Sequence, residues 1–177
     1  MKKTIAAIAV MASSVSAFAS GSASATYERV TDRVTKSVSD VRYYRFNNEI
    51  GNGLMFNTQV RDGRAQTTGA LSQSTEVGLT QGFGSLFVGG GVGRDFGLHP
   101  YNYTYVVGGA AQKLGPVTAN AGVKYTTGFN SVNPTSVLTF AGVSYPLTKT
   151  LSVEGGVSRT YREIHEKAVN VSLRVGF

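Results

Sequence analysis

The chain has 177 residues, no cysteine, 22 glycines and a formal charge of +7 at neutral pH. The lack of cysteine excludes a small disulfide-stapled secreted domain, and the basic residues are scattered rather than clustered among aromatics, so no nucleic-acid partner is expected. Glycine at this density argues against long helices, and no segment offers the eighteen or more consecutive apolar residues that a helical membrane span requires.

At the amino terminus Lys2 and Lys3 precede the apolar run Thr4 to Ala12 and a stretch of small residues, the layout of a secretory signal peptide. Ala17-Phe18-Ala19 meets the small-x-small cleavage rule and would make Ser20 the first mature residue, while Ala23-Ser24-Ala25 offers a second site. The apolar run is too short to cross a bilayer as a helix. Removing residues 1–19 takes two lysines away and leaves chain enough for one domain.

Residues 20–52 stand apart from the rest of the chain. Tyr27, Val30, Val34, Val38 and Val41 follow helical spacing, with Glu28, Arg29, Asp32, Arg33 and Lys36 among them. Read as a strand, the even face puts Asp32 and Lys36 beside valines in lipid, where a midplane charge costs about 2 to 4 kcal/mol. The expectation is a short periplasmic or lumen-contacting helix. Gly51-Asn52-Gly53 is a good hairpin turn, which keeps the alternative of two additional strands.

From residue 53 to 177 the chain repeats one unit, a segment of about nine to eleven residues alternating between an apolar row and a small or polar row. The expected strands are 53–61 (Leu54, Phe56, Val60 outward), 73–81 (Val77, Leu79), 85–94 (Leu86, Val88, Val92) and 102–112 (Tyr103, Tyr105, Val107). Next come 117–127 (Val117, Ala119, Ala121, Val123, Tyr125), 136–145 (Val137, Ala141, Val143, Tyr145) and a segment with Leu151, Val153, Gly155 and Val157 outward. The last strand has Val169, Val171, Leu173, Val175 and Phe177 on one face and Ala168, Asn170, Ser172, Arg174 and Gly176 on the other, a period of two without a fault.

Tight turns at Gly82-Phe83-Gly84, Lys113 to Pro116 and Pro146 to Thr150 alternate with longer polar loops at Asp62 to Ser72, Asp95 to Tyr101, Gly128 to Thr135 and Arg162 to Lys167. The pattern reads as an all-β, antiparallel transmembrane barrel of about eight strands (ten in the alternative), with short periplasmic turns and longer extracellular loops. Backbone groups in hydrocarbon must all be paired, so such a sheet closes on itself. Aromatics at the strand ends supply two interfacial girdles: Phe83, Phe87, Tyr145 and Phe177 on the turn side, and Phe96, Tyr101, Tyr103, Phe129 and Tyr161 on the loop side. A soluble barrel would bury the apolar row instead, but the opposite row, with Gly89, Gly91, Gly93, Gly108, Gly122, Gly142 and Gly156, is short of bulk for a solvent surface and suits the inside of a narrow tube.

The signal peptide, the amphipathic strands and the terminal V-N-V-S-L-R-V-G-F ending on Phe177 resemble the small OmpA-like, OmpX-like and opacity-type outer-membrane barrels. The resemblance covers residues 53–177 and implies a Gram-negative outer-membrane location. It further implies that Val169, Val171, Leu173, Val175 and Phe177 form the signal read by the outer-membrane assembly machinery.

The inward row gathers Arg61, Glu76, Lys124, Glu154 and Arg174, a charge network in a tube otherwise lined by small residues. Such charges either neutralise one another in a closed plug or gate a narrow water path. Some barrels of this kind are lipid A-modifying enzymes or proteases, but only His99 and His165 could act as imidazole bases. Asp95, Glu163, Glu166 and Ser131 are possible companions, yet no nucleophile motif surrounds either histidine, and His165-Glu166-Lys167-Ala168-Val169 is not a zinc-binding H-E-x-x-H. No catalytic residues, metal or cofactor are expected. The expected partners are the assembly machinery and outer-membrane lipids, including lipopolysaccharide, whose phosphates Arg61, Arg64, Arg159, Arg162 and Lys167 would meet near the rim. The leading expectation is a structural or surface-interaction barrel, with a narrow channel gated by lumen charges second and a lipid A-modifying enzyme third.

Overall fold

Alternation along each segment sets the strands, and the pairing of their backbones sets the architecture. A computed structural model describes residues 20–66, 71–97, 99–130 and 132–177, in which ten antiparallel strands form one closed barrel. They are β1 (Gly21–Asp32), β2 (Val38–Gly51), β3 (Leu54–Ala65), β4 (Leu71–Phe83), β5 (Leu86–Asp95), β6 (Tyr101–Leu114), β7 (Val117–Gly128), β8 (Thr135–Pro146), β9 (Leu151–Arg162) and β10 (Glu166–Gly176). Each strand pairs with its sequence neighbours, and β10 pairs with β1, so no edge is left. Reciprocal backbone bonds of 2.9 and 3.0 Å between Gly21 and Phe177 close that seam at the turn side. The expected signal peptide, residues 1–19, lies outside the described residues.

The strand count and the reading of residues 20–52 need correction: this segment is not a helix but β1 and β2, which makes ten strands rather than about eight. The helical spacing of the valines is a coincidence of hairpin geometry. Val30 and Val41 point inward and pack with Ala168, whereas Val34 lies in the β1–β2 connection. The feared midplane charges do not arise either. Lys36 sits in that connection with φ 61°, and Asp32 ends β1, where its Oδ1 accepts from the backbone of Val34 and Thr35 at 2.7 and 2.8 Å. The turn into β3 uses Asn52 (φ 53°) and Gly53 (φ 75°), the left-handed pair of a type I′ hairpin. Ser20 donates to Glu49 at 2.9 Å beside the start of β1, so a mature chain beginning at Thr26 would lack Gly21 to Ala25, the turn-side end of that strand.

Following cross-strand partners once round the barrel returns the path to β1 about twelve residues nearer the loops. Ten strands about 4.8 Å apart with that stagger enclose a backbone radius of about 10 Å. An eight-stranded barrel is just filled by its side chains, so two more strands leave space along the axis.

The outer rows are apolar as expected for β5 and for β7 to β10; Val169, for instance, is 64% exposed. In β6 the facing is the reverse of the expected one. Tyr103 is only 6% exposed and lines the lumen with Tyr105 and Val107, while Val106, 58% exposed, faces out. The same shift puts Gly108 outside and Gly109 inside. The reason lies on β4 and β5: a side chain built at Gly93 would run into the Tyr103 ring, and one at Gly78 or Gly91 into the Tyr105 hydroxyl. Large inward rings are tolerated because these glycines let them lie flat along the wall. Phe87 lies against Gly109 and Phe140 against Gly122 in the same way, and the two phenylalanine rings stack at 6.5 Å. Phe87, Tyr101 and Tyr103 therefore leave the girdles, while Phe83, Tyr145 and Phe177 stay on the turn side and Phe96, Phe129 and Tyr161 on the loop side.

Candidate functional site in the lumen

The inward rows of all ten strands enclose a cavity of about 830 Å³. Its lining runs from Ser22 and Arg174 near the turns to Asp95, Tyr101 and Glu166 near the loops.

At mid-height Glu76 on β4 and Lys124 on β7 form an ion pair. Two strands separate β4 from β7 round the wall, so the contact crosses the lumen. The Tyr103 hydroxyl donates to the same Glu76 oxygen at 3.0 Å, and the Lys124 ammonium sits 4.2 Å from the centroid of the Tyr105 ring. This cluster has charge and hydrogen-bond partners on both of its ions, which a buried pair needs to be stable.

On the wall running from β1 to β4 the Tyr43 hydroxyl donates to Glu28 at 2.7 Å. Arg61 lies 5.8 Å from the centroid of the Tyr43 ring and donates to Ser72 at 3.4 Å, while Arg45 donates through Nε and Nη2 to Gln59 at 3.1 and 2.7 Å. Arg61 is thus a lumen residue rather than a rim contact for lipid phosphates. Nearer the turns Arg174 pairs with Glu154 at 2.9 Å. The two are diagonal neighbours, since Glu154 lies opposite Ser172 and Arg174 opposite Ser152.

All five charges expected inside are there, but as two separate ion pairs and one arginine held by Tyr43 and Ser72 rather than as one network. Glu28, Tyr43, Arg45, Gln59, Tyr103, Tyr105 and Glu166 also belong to the lining and were not expected there. The signal for Glu28 was present in the alternation of Ser22, Ser24, Thr26, Glu28 and Val30 with Ala23, Ala25, Tyr27 and Arg29, which a helical reading obscures.

Val169, Val171, Leu173, Val175 and Phe177 form the exposed outer row at the end of the chain, and the Phe177 ring covers Gly21 across the seam. His99 and His165 are exposed on different loops, and Ser131 lies outside the described residues. Among the described residues no group of three or more His, Cys, Asp or Glu side chains is placed to hold a metal ion.

A closed antiparallel barrel with an apolar exterior and a polar interior is the fold of outer-membrane β-barrels. Among solved structures, the chain is similar to the KdgM porin in complex with disordered oligogalacturonate, with 10% identity over 88% of this chain and 99% of that one and a TM-score of 0.51. It is also similar to the translocator domain of the autotransporter NalP from Neisseria meningitidis, with 10% identity over 99% and 97% of the two chains and a TM-score of 0.50. At such identities the likeness concerns the fold alone. No protein-family description matches the chain, and no curated protein matches it in sequence.

Proposed function

We propose that the protein is exported to the Gram-negative outer membrane and forms a narrow water-filled channel, constricted at mid-height by the Glu76–Lys124 bridge. The observation that carries this reading is the cavity of about 830 Å³ lined from the turn-side rim to the loop-side rim. Two further strands widen the barrel beyond the size at which side chains fill it, and rings laid on glycines keep the wall thin. Polar and charged groups along the axis give water and small solutes hydrogen-bond partners throughout, while the apolar exterior meets lipid.

The reading includes no catalytic step, since His99 and His165 are solvated on separate loops. The outer row from Val169 to Phe177 serves as the signal for the assembly machinery, in addition to facing lipid. A structural or surface-interaction barrel is the competing reading, and conductance separates the two. Mature protein from outer membranes, inserted in planar bilayers, is expected to show small unit conductances that rise several-fold in Lys124→Ala. Wild type and variant both silent, with the barrel shown intact by its heat-dependent gel mobility, would overturn the channel.

A further inference from the structure

The lipid-facing rows carry their cations on one side only. Arg29, Arg42, Arg64, Arg94, Arg159 and Lys167 all lie in the loop-side part of their strands, and the turn-side part of these rows has no lysine or arginine among the described residues. Four of the six fall on the contiguous strands β9, β10, β1 and β2.

Within that group, Lys167 and Arg159 are direct cross-strand partners. Like charges in that position destabilise a sheet, and no carboxylate among the described residues pairs with either. Arg159 stacks on Tyr161 at 4.9 Å, and Lys167 has no ion pair or side-chain hydrogen bond among the described residues. The nearby acids are engaged elsewhere. Asp40 accepts from Tyr27 at 2.6 Å and Gln66 at 2.7 Å and pairs with Arg29 at 3.6 Å, while Asp62, opposite Arg42, accepts from Gln73 at 3.4 Å. Arg42 makes no ion pair among the described residues.

Toward the turns from these cations the outer surface has an apolar furrow of about 410 Å³, lined by Ala25, Tyr27, Tyr44, Val153, Val171 and Leu173, with Arg42 at its loop-side end. It opens over Ala25, whose small side chain stands between Tyr44 and Leu173 on the flanking strands.

From this geometry we infer a lipid site: the face of β9, β10, β1 and β2 binds one diphosphorylated glycolipid of the outer leaflet. One phosphate lies between Lys167 and Arg159, the other at Arg42, and an acyl chain fills the furrow. Lys167 lies opposite Thr31 and Arg42 opposite Tyr27, so the two stand two strand spacings and four residues apart, about 16 Å on the sheet, a span that their long side chains close onto the two phosphates of a disaccharide headgroup and that is too wide for a single phosphodiester. From Lys167 to Val171 is on the order of 13 Å along β10, which places the furrow at acyl-chain depth below the headgroup. The inference rests on the outer-membrane placement proposed above and is independent of conductance.

The test is native mass spectrometry of the detergent-purified barrel with three probes: diphosphoryl lipid A, its dephosphorylated form, and phosphatidylglycerol. Wild type is expected to retain one diphosphoryl lipid A and little of the others. The doubly substituted Arg159→Gln/Lys167→Gln and the furrow-filling Ala25→Leu are each expected to lower retention about tenfold, the loss of a charge-assisted or well-packed contact. Equal retention by wild type and both variants, or equal retention of phosphatidylglycerol, overturns the site. Heat-dependent gel mobility checks that each variant is folded, and unchanged conductance of the same variants separates failure here from failure of the channel reading.

Discussion

Consider truncating each side of the Glu76–Lys124 bridge in turn. The two side chains are 13% and 17% exposed, and two unit charges in contact at an effective dielectric constant of 20 attract by roughly 5 kcal/mol before desolvation. Removing one partner of a buried pair typically costs about 3 to 5 kcal/mol, because the other charge is stranded. The surroundings make the two truncations unequal. In Lys124→Ala the Glu76 carboxylate keeps the Tyr103 hydroxyl and stays on a lumen wall that also carries Arg45 and Arg61. In Glu76→Ala the Lys124 ammonium keeps only the Tyr105 ring and faces those same two arginines within electrostatic reach. A cation over an aromatic ring recovers about 0.5 to 2 kcal/mol. The expected losses are therefore about 2 kcal/mol for Lys124→Ala and about 4 kcal/mol for Glu76→Ala, with the double variant losing less than their sum. The chain has no tryptophan, so urea unfolding in lipid vesicles is followed by circular dichroism or by the heat-dependent gel shift. Simple additivity would show that the bridge is not a buried pair, and the reverse order would show that Arg45 and Arg61 do not bear on the site.

The Glu154–Arg174 pair should behave more mildly. Its side chains are 21% and 37% exposed, so a double-mutant cycle is expected to give a coupling of about 1 kcal/mol, and zero coupling would mean that the diagonal contact is not held in the lumen. Deleting Phe177 should lower the amount of assembled barrel and leave precursor or degraded chain, with Phe177→Tyr milder. Normal assembly of the deletion would reduce the terminal row to ordinary lipid-facing surface with a ring over Gly21.

Much of the fold was legible because a barrel strand announces itself locally. Val169, Val171, Leu173, Val175 and Phe177 alternate with small and polar residues without interruption, and any strand with lipid on one side and a polar tube on the other must read that way. The tight turns and the inward position of Glu76, Lys124, Glu154 and Arg174 followed from the same period. β1 and β2 were harder to see, because the valines fall at helical spacing and a single strand continued through Asp32 and Lys36 would set those charges beside valines in lipid. The strand instead ends at Asp32 and its even row lines the lumen, which only the closed sheet reveals.

By itself, then, the sequence determined an antiparallel barrel with an apolar outside, the residues of the outer row along most strands and five of the charges that line the tube. Only closure decided the strand number, the facing of β6 and the pairing of the lumen charges. Tyr103 and Tyr105 look like lipid-facing aromatics until Gly78 on β4 and Gly91 and Gly93 on β5 are seen to make room for them inside. Likewise Glu76 meets Lys124 only because the wall curves round to bring β4 and β7 face to face. Alternation is a property of neighbours along the chain, whereas contact across a lumen depends on the radius and stagger of the whole sheet, which no local pattern encodes.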